Sequence, residues 1–368
     1  MSSVPSPRPA PPVTNTRLAS ALLALADAEE PGARPAAEYR EAARTLRQLG
    51  DDLFGRRVSL TALPGVTPRA ADAIGAFLSC GSDDSVDDRL AAILDREDPR
   101  ARLKADFLSQ ADVDRILASP GGISMADLRG DVHLHTDRSD GRMPLAALHR
   151  ALDARGDAYA FLTDHARDCA VAGGLFPGDF GAQRREVDVL NERAERGFFM
   201  FHGAEANIAE DGTIDVLPSR VPELAAVVAS VHTGLRDPRD QTARLVRALE
   251  TPGVAVLGHP RGRLYDVRAG IRADWARVFA LAAERRVAVE LNGCPERLDL
   301  SPSLARLAAD SGGLFTIASD AHAPRHLDHV AWGLAVARLA AIPPDRIVNT
   351  WPAERFAEWL AGRRAAQS

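Results

Sequence analysis

The stretch LRGDVHLHTDRSDG (residues 128–141) contains a short β-rich run, DVHLH, followed by polar residues that are typical of a turn. His133 and His135 alternate along the predicted strand, so both side chains point to the same side of it. Two imidazoles in this arrangement can bind one metal ion. Asp140 follows in a Ser-Asp-Gly sequence, where it is either a further ligand or a turn residue. The stretch therefore predicts a β-strand that carries the first ligands of a metal site.

Further runs of the same kind follow at spacings of roughly 27 to 40 residues, and each ends in His, Asp, Glu or Asn. Such spacing is typical of βα units, and seven of them predict an α/β fold with a distorted seven-stranded (β/α)7 barrel. In a parallel barrel the carboxyl ends of the strands meet at one face, so these polar side chains converge there. The runs are DVHLH (131–135), AYAFLTDH (158–165), FFMFHGAEANI (198–208), AAVVASVH (225–232), GVAVLGHP (253–260), RVAVELNG (286–293) and LFTIASDAH (314–322).

The later strand ends supply further candidate ligands for metal. Each of them alone has a structural alternative, as a capped or hydrogen-bonded buried polar group. Their recurrence at successive strand ends is hard to explain by chance, so the set predicts a metal centre. The residues are His165, Glu205, His232, His259, Asp320 and His322.

The composition limits the class of protein. The chain has 46% hydrophobic and 26% charged residues, which is ordinary for a soluble globular protein. No apolar run approaches the roughly 18 residues that a membrane span needs. The net charge of −6 provides no global attraction to nucleic acid. Cys80, Cys169 and Cys294 are scattered without disulfide or metal spacing, which fits a reducing compartment, and we expect a cytoplasmic protein.

The ten histidines all lie between His133 and His329, which separates a helical N-terminal part from the barrel. Residues 1–15 are rich in proline and serine and predict a disordered tail. Helical periodicity in RLASALLALADA and AAEYREAARTLRQL, followed by LTALPGVTPRAADAI, predicts a small all-α helix-hairpin-helix domain over residues 16–82. A helical linker over residues 83–127 and the barrel over residues 128–368 complete the predicted organisation.

The hairpin is a candidate contact for DNA, because such a turn directs free N–H groups outward, where a phosphate can bind. Gly65 and Thr67 are the candidate DNA-binding residues. The helices and hairpin resemble the N-terminal 8-kDa domain of family X DNA polymerases, although Thr67 replaces the second glycine of the family's Gly-Ile-Gly. A packing or dimerisation module is the alternative. Only Gly81 to Gly130 separate the hairpin from the barrel, which is too short for a polymerase palm, so we expect no polymerase activity.

Two families of metal-dependent barrels begin with a His-x-His strand. Amidohydrolases often bridge two metal ions with a carbamylated lysine, but the chain's only lysine, Lys104, precedes the barrel. Glu205 would have to provide the bridge instead. The absence of a barrel lysine favours phosphoester hydrolysis over amide hydrolysis.

The barrel resembles the PHP (polymerase and histidinol phosphatase) domain, in the version that is attached to family X polymerases. The resemblance covers about residues 123–362 and is most specific in GHPRGRLY and VELNGCPERLDL. The other matching motifs are LRGDVHLHTDRSDG, FLTDH, GAEANIAEDGTID, SVH, IASDAH and IVNTWPAERFAEWL.

The resemblance implies two to three divalent ions, Zn²⁺ or Mn²⁺ with iron as a further option. It implies three ligand sets, of which the third is the least regular. The sets are His133, His135, Glu205 and Asp320; then Glu205, His232 and His259; then His165, His322 and Asp140.

The ligands permit a hydrolytic mechanism. The expected nucleophile is a hydroxide that bridges two ions, held by Glu205 and the His133/His135 site, because metals lower the pKa of bound water. Arg261 or Arg263 is the candidate phosphate clamp, since a guanidinium forks onto two oxygens. Arg297 is a further candidate, with a salt bridge as its structural alternative. Asn292 is expected to support a ligand or a bound water from outside the metal shell.

Three functions remain open at this point. The resemblance implies a hydrolase of DNA ends or abasic sites, acting as a 3′–5′ exonuclease, a 3′-phosphatase or an AP endonuclease. A small-molecule phosphatase that acts on histidinol phosphate or nucleotide phosphates is the alternative. A non-catalytic DNA-binding or scaffold protein is a third possibility, but the complete ligand set argues against it.

Overall fold

A computed structural model describes residues 14–30, 32–53, 58–79, 101–104, 106–166, 173–194 and 196–365. Residues 1–13 of the predicted tail, residues 83–100 of the predicted linker, Cys80 and Cys169 lie outside the described residues. The chain divides into two compact units, Met1–Arg115 and Ile116–Ser368. The segment predicted as a linker, residues 83–127, is therefore shared between the two units.

The described residues of the first unit are mainly helical. Thr14 caps the first helix by accepting a hydrogen bond from the backbone N–H of Arg17, as short hydroxyl residues do at helix starts. Leu18, Leu22 and Leu46 are fully buried where the first two long helices pack together. The helices are α1 (Asn15–Ala28), α2 (Arg34–Gln48), α3 (Pro68–Ser79), α4 (Ala101–Lys104) and α5 (Gln110–Ala118), with a 3-10 turn at Leu60–Ala62.

The second unit contains two parallel sheets, one of three strands and one of five. Most strand residues are buried on both faces, which explains why the strands appear in the sequence as nearly continuous apolar runs. The strands are β1 (Gly130–Leu134), β2 (Tyr159–Leu162), β3 (Phe199–His202), β4 (Ala204–Asn207), β5 (Val227–Ser230), β6 (Val254–Gly258), β7 (Ala288–Asn292) and β8 (Leu314–Ala318).

Strands β3 and β4 follow each other with only Gly203 between them, and they connect the two sheets. β3 pairs with β2, whereas β4 pairs with β5. At the other end, Leu134 forms a parallel bridge with Ala321, which brings the end of β1 against the chain that follows β8. The described part of the chain thus has eight strands in two sheets, and the predicted seven-stranded (β/α)7 barrel stays a prediction.

Helices alternate with the strands along the second unit. Ser301 caps one of them and Asp274 another, each through a side-chain oxygen that accepts a backbone N–H. The helices are α6 (Leu145–Arg155), α7 (Asp179–Glu192), α8 (Thr242–Glu250), α9 (Trp275–Glu284), α10 (Pro302–Asp310), α11 (Val330–Leu339) and α12 (Ala353–Ala365). The 3-10 turns are Met125–Asp127, Pro324–His329, Pro344–Arg346 and Val348–Thr350. Among the described residues, none of the helices combines the length and apolar character that crossing a membrane requires.

The C-terminal helix packs against the amino-terminal ends of the strands. Phe356 of α12 stacks on Tyr159, the first residue of β2, with 4.6 Å between ring centroids. The Tyr159 hydroxyl donates to the carbonyl oxygens of Val348 and Trp351, so this apolar cluster contains a satisfied polar group. The core at this end leaves the opposite ends of the strands for polar side chains.

We predict that Gly203→Ala destabilises the second unit. A methyl group at this position would overlap the Phe161 ring and would lie 2.8 Å from the carbonyl oxygen of Ala226. Because overpacking of a core typically costs about 1–3 kcal/mol, we expect a loss of that size in the free energy of unfolding. Urea denaturation followed by circular dichroism measures it.

Gly178→Ala is the matched control, because a Cβ at Gly178 meets no atom within 4 Å. We expect its free energy of unfolding to stay within about 0.5 kcal/mol of the wild type. Equal stability of the two variants would show that the junction between β3 and β4 is not closely packed.

Candidate metal centre

The nine predicted ligands converge at the carboxyl ends of the strands. Eight of the nine follow or end β1, β2, β4, β5, β6 and β8, and Asp140 reaches the same place from the loop after β1. Most are almost fully buried; Asp140 and His322 are the more open ones, at 34% and 26% side-chain exposure. The sequence pattern therefore identified residues that the fold does bring together.

One group of ligand atoms surrounds one oxygen of Glu205. Nε2 of His133 lies 3.2 Å from Oε2 of Glu205, and Nε2 of His135 lies 3.6 Å from the same oxygen. Nε2 of His135 is also 3.2 Å from Oδ1 of Asp320. These four residues form the first set that the family resemblance implies.

The other oxygen of Glu205 faces a second group. Oε1 lies 2.9 Å from Nε2 of His259 and 3.3 Å from Nε2 of His232. The carboxylate thus presents each of its oxygens to a different group of imidazoles, Oε1 to His232 and His259 and Oε2 to His133, His135 and His165. This is the arrangement that a carboxylate bridge between two metal ions needs.

The third group forms around Asp140. Its Oδ1 lies 3.2 Å from Nε2 of His322, 3.7 Å from Nε2 of His165 and 4.0 Å from Nδ1 of His135. Ligand atoms of these four residues all lie within 4.8 Å of one another. His135 was expected only in the first set, and its second ring nitrogen faces this one. His165 similarly directs Nδ1 to Glu205, at 3.0 Å.

The buried donor atoms fit divalent metal ions. Within the described part of the chain, Nε2 of His133, Nε2 of His135 and both oxygens of Glu205 are buried and have no hydrogen-bond partner. A buried carboxylate without a hydrogen bond is costly unless a cation neutralises it. Imidazole nitrogens together with carboxylate oxygens suit Zn²⁺, Mn²⁺ and Fe²⁺.

The electrostatics keep the carboxylates ionised. Burial alone would raise the pKa of Glu205, but the rings of His133, His165 and His232 hold it well below its usual value. Burial would likewise raise the pKa of Asp140, yet the hydrogen bond from His322 lowers it to about 2. Each carboxylate is therefore available to a cation at neutral pH.

Asp320, one of the predicted ligands, has an unusual backbone conformation. Its φ is 53°, in the left-handed region that residues other than glycine rarely occupy. Asn292 donates from Nδ2 to Oδ2 of Asp320 at 3.1 Å, and Arg297 lies 3.4 Å from the same oxygen. Strained backbone of this kind is concentrated at functional sites, and here it aims the carboxylate at His135.

Glu290 is a buried residue of the centre that the sequence interpretation did not select. Its Oε2 lies 2.9 Å from Nδ1 of His133 and accepts the backbone N–H of His259 at 3.3 Å. Asn292 donates to its Oε1 at 2.6 Å, and the supporting role of Asn292 stays a prediction. With a carboxylate at Nδ1, the His133 ring directs its Nε2 lone pair toward Glu205. The alternation of Glu290 and Asn292 on β7 was the available signal.

A second supporting chain holds His232. Nδ1 of His232 lies 2.7 Å from Oδ1 of Asn207, and Nδ2 of Asn207 donates to Asp215 at 2.5 Å. The acceptor on Asp215 fixes which way the Asn207 amide faces, and the amide oxygen then selects the tautomer of His232. Nε2 of His232 is consequently directed to Glu205.

The three candidate phosphate clamps lie in different environments. Arg263 is 4% exposed and its guanidinium donates to the carbonyl oxygen of Leu298. Arg261 donates from Nη2 to Ala269 at 2.9 Å. Arg297 lies beside the ligand Asp320, so it is the arginine of the three that reaches the metal centre. Phosphate binding by any of them stays a prediction.

Of the other histidines, His202 packs away from these groups, whereas Nδ1 of His326 accepts the backbone N–H of His322 at 3.3 Å. Nε2 of His202 lies 2.9 Å from Oε1 of Gln183, and its Nδ1 faces the carbonyl oxygen of Glu223. His326 and His329 stack on each other with 4.7 Å between ring centroids.

In the first unit, the hairpin residues lie against acidic side chains. Thr67 donates to Oε2 of Glu38 at 3.1 Å, and a Cβ at Gly65 would meet Glu41 at 2.6 Å. Gly65 has a φ of 70°, which explains a glycine at this turn. Two carboxylates beside the hairpin disfavour a phosphate in this conformation. DNA binding by Gly65 and Thr67 stays a prediction.

No family model matches the chain. The chain is 33% identical over 228 residues to the DNA polymerase/3′-5′ exonuclease PolX of Bacillus subtilis, covering 62% of this chain and 40% of that protein. It is 30% identical over 166 residues to a probable phosphatase of Shewanella sediminis, covering 42% and 65%. A probable phosphatase of Shewanella loihica is 29% identical over 244 residues, covering 63% and 93%. The chain thus spans less than two thirds of the length of the first two relatives.

A solved structure is also similar. It is the histidinol phosphate phosphatase of Lactococcus lactis, complexed with zinc, L-histidinol and phosphate, with a TM-score of 0.42 and 16% identity over 56% of this chain and 94% of that chain. The sequence relatives are named as an exonuclease and as probable phosphatases, which bears out the predicted resemblance to PHP-type phosphoesterases and the predicted class of phosphoester hydrolase.

We predict that Glu290→Gln weakens metal binding. One carboxylate oxygen of Glu290 faces His133 and His259, and the other accepts from Asn292. The glutamine amide would place a donor at one of these two positions, so the His133 ring would lose its fixed orientation. Because changes in residues that hold metal ligands typically cost 10–100-fold, we expect a rise of about that factor in the dissociation constant for Zn²⁺. Competition with a chelating indicator measures it.

Glu284→Gln is the control, because the Glu284 side chain is 70% exposed at the end of α9. This variant should bind Zn²⁺ as the wild type does. If Glu290→Gln also binds normally, Glu290 does not orient His133.

Proposed function

We propose that this PHP-type phosphoester hydrolase acts on DNA 3′ ends or abasic sites at the centre built around Glu205. The observation that supports hydrolysis at this place is the orientation of Glu205, whose two oxygens face His133 on one side and His259 on the other, at 3.2 and 2.9 Å. The DNA substrate is supported by the similarity to a protein named as a DNA polymerase and 3′-5′ exonuclease.

Two to three divalent ions would be held by the three groups of ligands around Glu205 and Asp140. Bound there, they would activate water at neutral pH and neutralise the charge of the phosphate oxygens. Zn²⁺ and Mn²⁺ are the proposed ions. The third group is more open than the others, because Asp140 and His322 are its exposed members.

The chain's own residues provide position and charge. Glu290 and Asn207 hold the rings of His133 and His232, so the ligand nitrogens need little rearrangement before the reaction. Arg297 supplies a positive charge beside Asp320, where its guanidinium can donate to a phosphate oxygen. The apolar core beneath the strand ends excludes water from the opposite side of the centre.

A small-molecule phosphatase is the second candidate. The observation that favours it is coverage: the chain matches 93% of the length of the Shewanella loihica phosphatase but 40% of the Bacillus subtilis polymerase. Histidinol phosphate and nucleotide phosphates are the corresponding substrates to test.

A panel of substrates separates the two candidates. Metal-loaded protein is incubated with oligonucleotides that carry a recessed 3′ end, a 3′-phosphate or an abasic site, and separately with histidinol phosphate and nucleotide phosphates. We expect cleavage of at least one of the oligonucleotides. Turnover restricted to the small esters would overturn the DNA proposal and support the second candidate.

We predict that Glu205→Gln abolishes whichever activity the panel detects. Glutamine cannot provide a charged oxygen to both groups of imidazoles, so we expect a loss above the roughly 100-fold typical of residues that only support a ligand. His133→Ala should have a similar effect. Product release under saturating substrate measures the rates.

Glu210→Gln is the matched control, since Glu210 is exposed in the loop that follows β4. Its activity should stay within about twofold of the wild type, as expected of an exposed surface residue. Retention of activity in Glu205→Gln would show that hydrolysis occurs elsewhere in the protein.

A further inference from the structure

Three arginines lie on successive loops at the carboxyl ends of the strands. Arg236 follows β5, Arg268 follows β6 and Arg297 follows β7. The first two of these loops carry His232 and His259 near their start. The third loop follows β7, the strand that holds Glu290. The arginines therefore share a face of the barrel with the metal centre.

Packing between the loops brings these arginines close together. The Leu235 side chain packs so closely on Gly262 that a Cβ there would overlap it. The carbonyl oxygen of Gly262 in turn accepts Nε of Arg268 at 2.7 Å. On the other side, the backbone N–H of Tyr265 donates to the carbonyl oxygen of Glu296 at 2.7 Å. Arg268 thus lies between the loop of Arg236 and the loop of Arg297.

The charges of Arg236 and Arg297 both act on Arg268. Burial lowers the pKa of the Arg268 guanidinium, and the charges of Arg297 and Arg236 lower it further, while Asp299 acts in the opposite direction. Asp299 already accepts the backbone N–H groups of Arg261 and Arg263, at 2.8 and 3.2 Å. Positive charge is therefore in excess at this point.

The arginines of this group differ from the structural arginines of the same barrel. Arg244 is 5% exposed and donates to backbone carbonyls of neighbouring loops, including Thr233. By contrast, Arg268 is half-buried, and its terminal nitrogens make no hydrogen bond within the described residues. Arg236 is exposed, and no ion pair or side-chain hydrogen bond connects it to another described residue. Like charges held together with open donors indicate an anion site.

We propose that Arg268 and Arg236 bind a second phosphate group of the substrate, next to the phosphate that is hydrolysed at the metal centre. Arg297 connects the metal centre with the proposed second phosphate site. It contacts Asp320 of the centre, and its charge lowers the pKa of Arg268. A guanidinium with free terminal nitrogens forks onto two phosphate oxygens. The proposal rests on the proposed hydrolysis at Glu205 and extends it: the substrate carries two neighbouring phosphates.

Two matched pairs of substrates test the proposal and identify the source of the second phosphate. One pair is propyl phosphate and propane-1,3-diol bisphosphate. The other is thymidine 3′-phosphate and the dinucleotide thymidylyl-thymidine 3′-phosphate, in which the second phosphate is a diester. The wild type should have the lower KM for the two-phosphate member of at least one pair. A lower KM for the two-phosphate member in the first pair alone indicates that the substrate is a small bisphosphate. A lower KM for that member in the second pair indicates that the second phosphate belongs to a nucleic acid strand.

Arg268→Gln and Arg236→Gln should each raise the KM for the preferred two-phosphate substrate about tenfold, as expected for loss of a charge-assisted hydrogen bond. The kcat and the KM for its one-phosphate partner should stay within about twofold, because the metal centre is unaltered. Arg239→Gln is the control: this arginine lies on the same loop as Arg236 but pairs with Asp237 and is 81% exposed. The proposal would be overturned if the two variants changed the KM equally for both members of a substrate pair, or did not change it at all.

A binding measurement separates this proposal from the proposed hydrolysis. Propane-1,3-diyl bisphosphonate and propylphosphonate, analogues that cannot be hydrolysed, are titrated calorimetrically into metal-loaded wild type and Arg268→Gln. Tighter binding of the bisphosphonate to the wild type, lost in the variant, supports the second phosphate site even if neither propyl ester is hydrolysed. Hydrolysis without any such difference supports the proposed function and rejects the second site.

Discussion

The carboxylate of Glu205 is the group on which the rest of the centre depends. It is 1% exposed, and moving an ion of this kind out of water costs several kcal/mol even after the protein relaxes. It is stable in this position because strands on both sides of β4 end in imidazoles that face it. The parallel sheets supply them, since parallel strands bring their carboxyl ends to the same edge.

Around this carboxylate, a layer of acceptors decides how the rings point. Glu290 holds Nδ1 of His133, Asn207 holds Nδ1 of His232, and the backbone carbonyl of Asp320 holds Nδ1 of His322 at 2.8 Å. In each case Nε2 is left to face a carboxylate of the centre. Such outer contacts set ligand basicity and orientation as much as the ligands themselves do. The loops beyond them then determine which arginines are structural and which remain open to an anion.

The sequence identified the ligands well and the supporting residues poorly. The ligands were visible because they recur at strand ends, a position that local periodicity and βα spacing reveal. Glu290 has the same chemistry, but it lies within β7 and therefore resembles an ordinary strand residue. Arg263 is the opposite case: its place after His259 suggested a phosphate clamp, whereas folding buries its guanidinium against Leu298. The partners of a long side chain depend on residues distant in the chain, so local patterns do not reveal them.

By itself, the sequence determined the α/β class, the strand ends at which the candidate ligands lie, and the resemblance to phosphoester hydrolases that the relatives bear out. Alternation along a strand fixes which side of it His133 and His135 occupy, and no distant residue is needed for that inference. Only the tertiary structure decided that His135 and His165 each face two groups of ligands. It also decided that Glu205 divides its oxygens between two groups of imidazoles. The physical reason is that ring rotation and carboxylate orientation follow from contacts across the barrel, which join residues separated by tens to hundreds of positions in the chain.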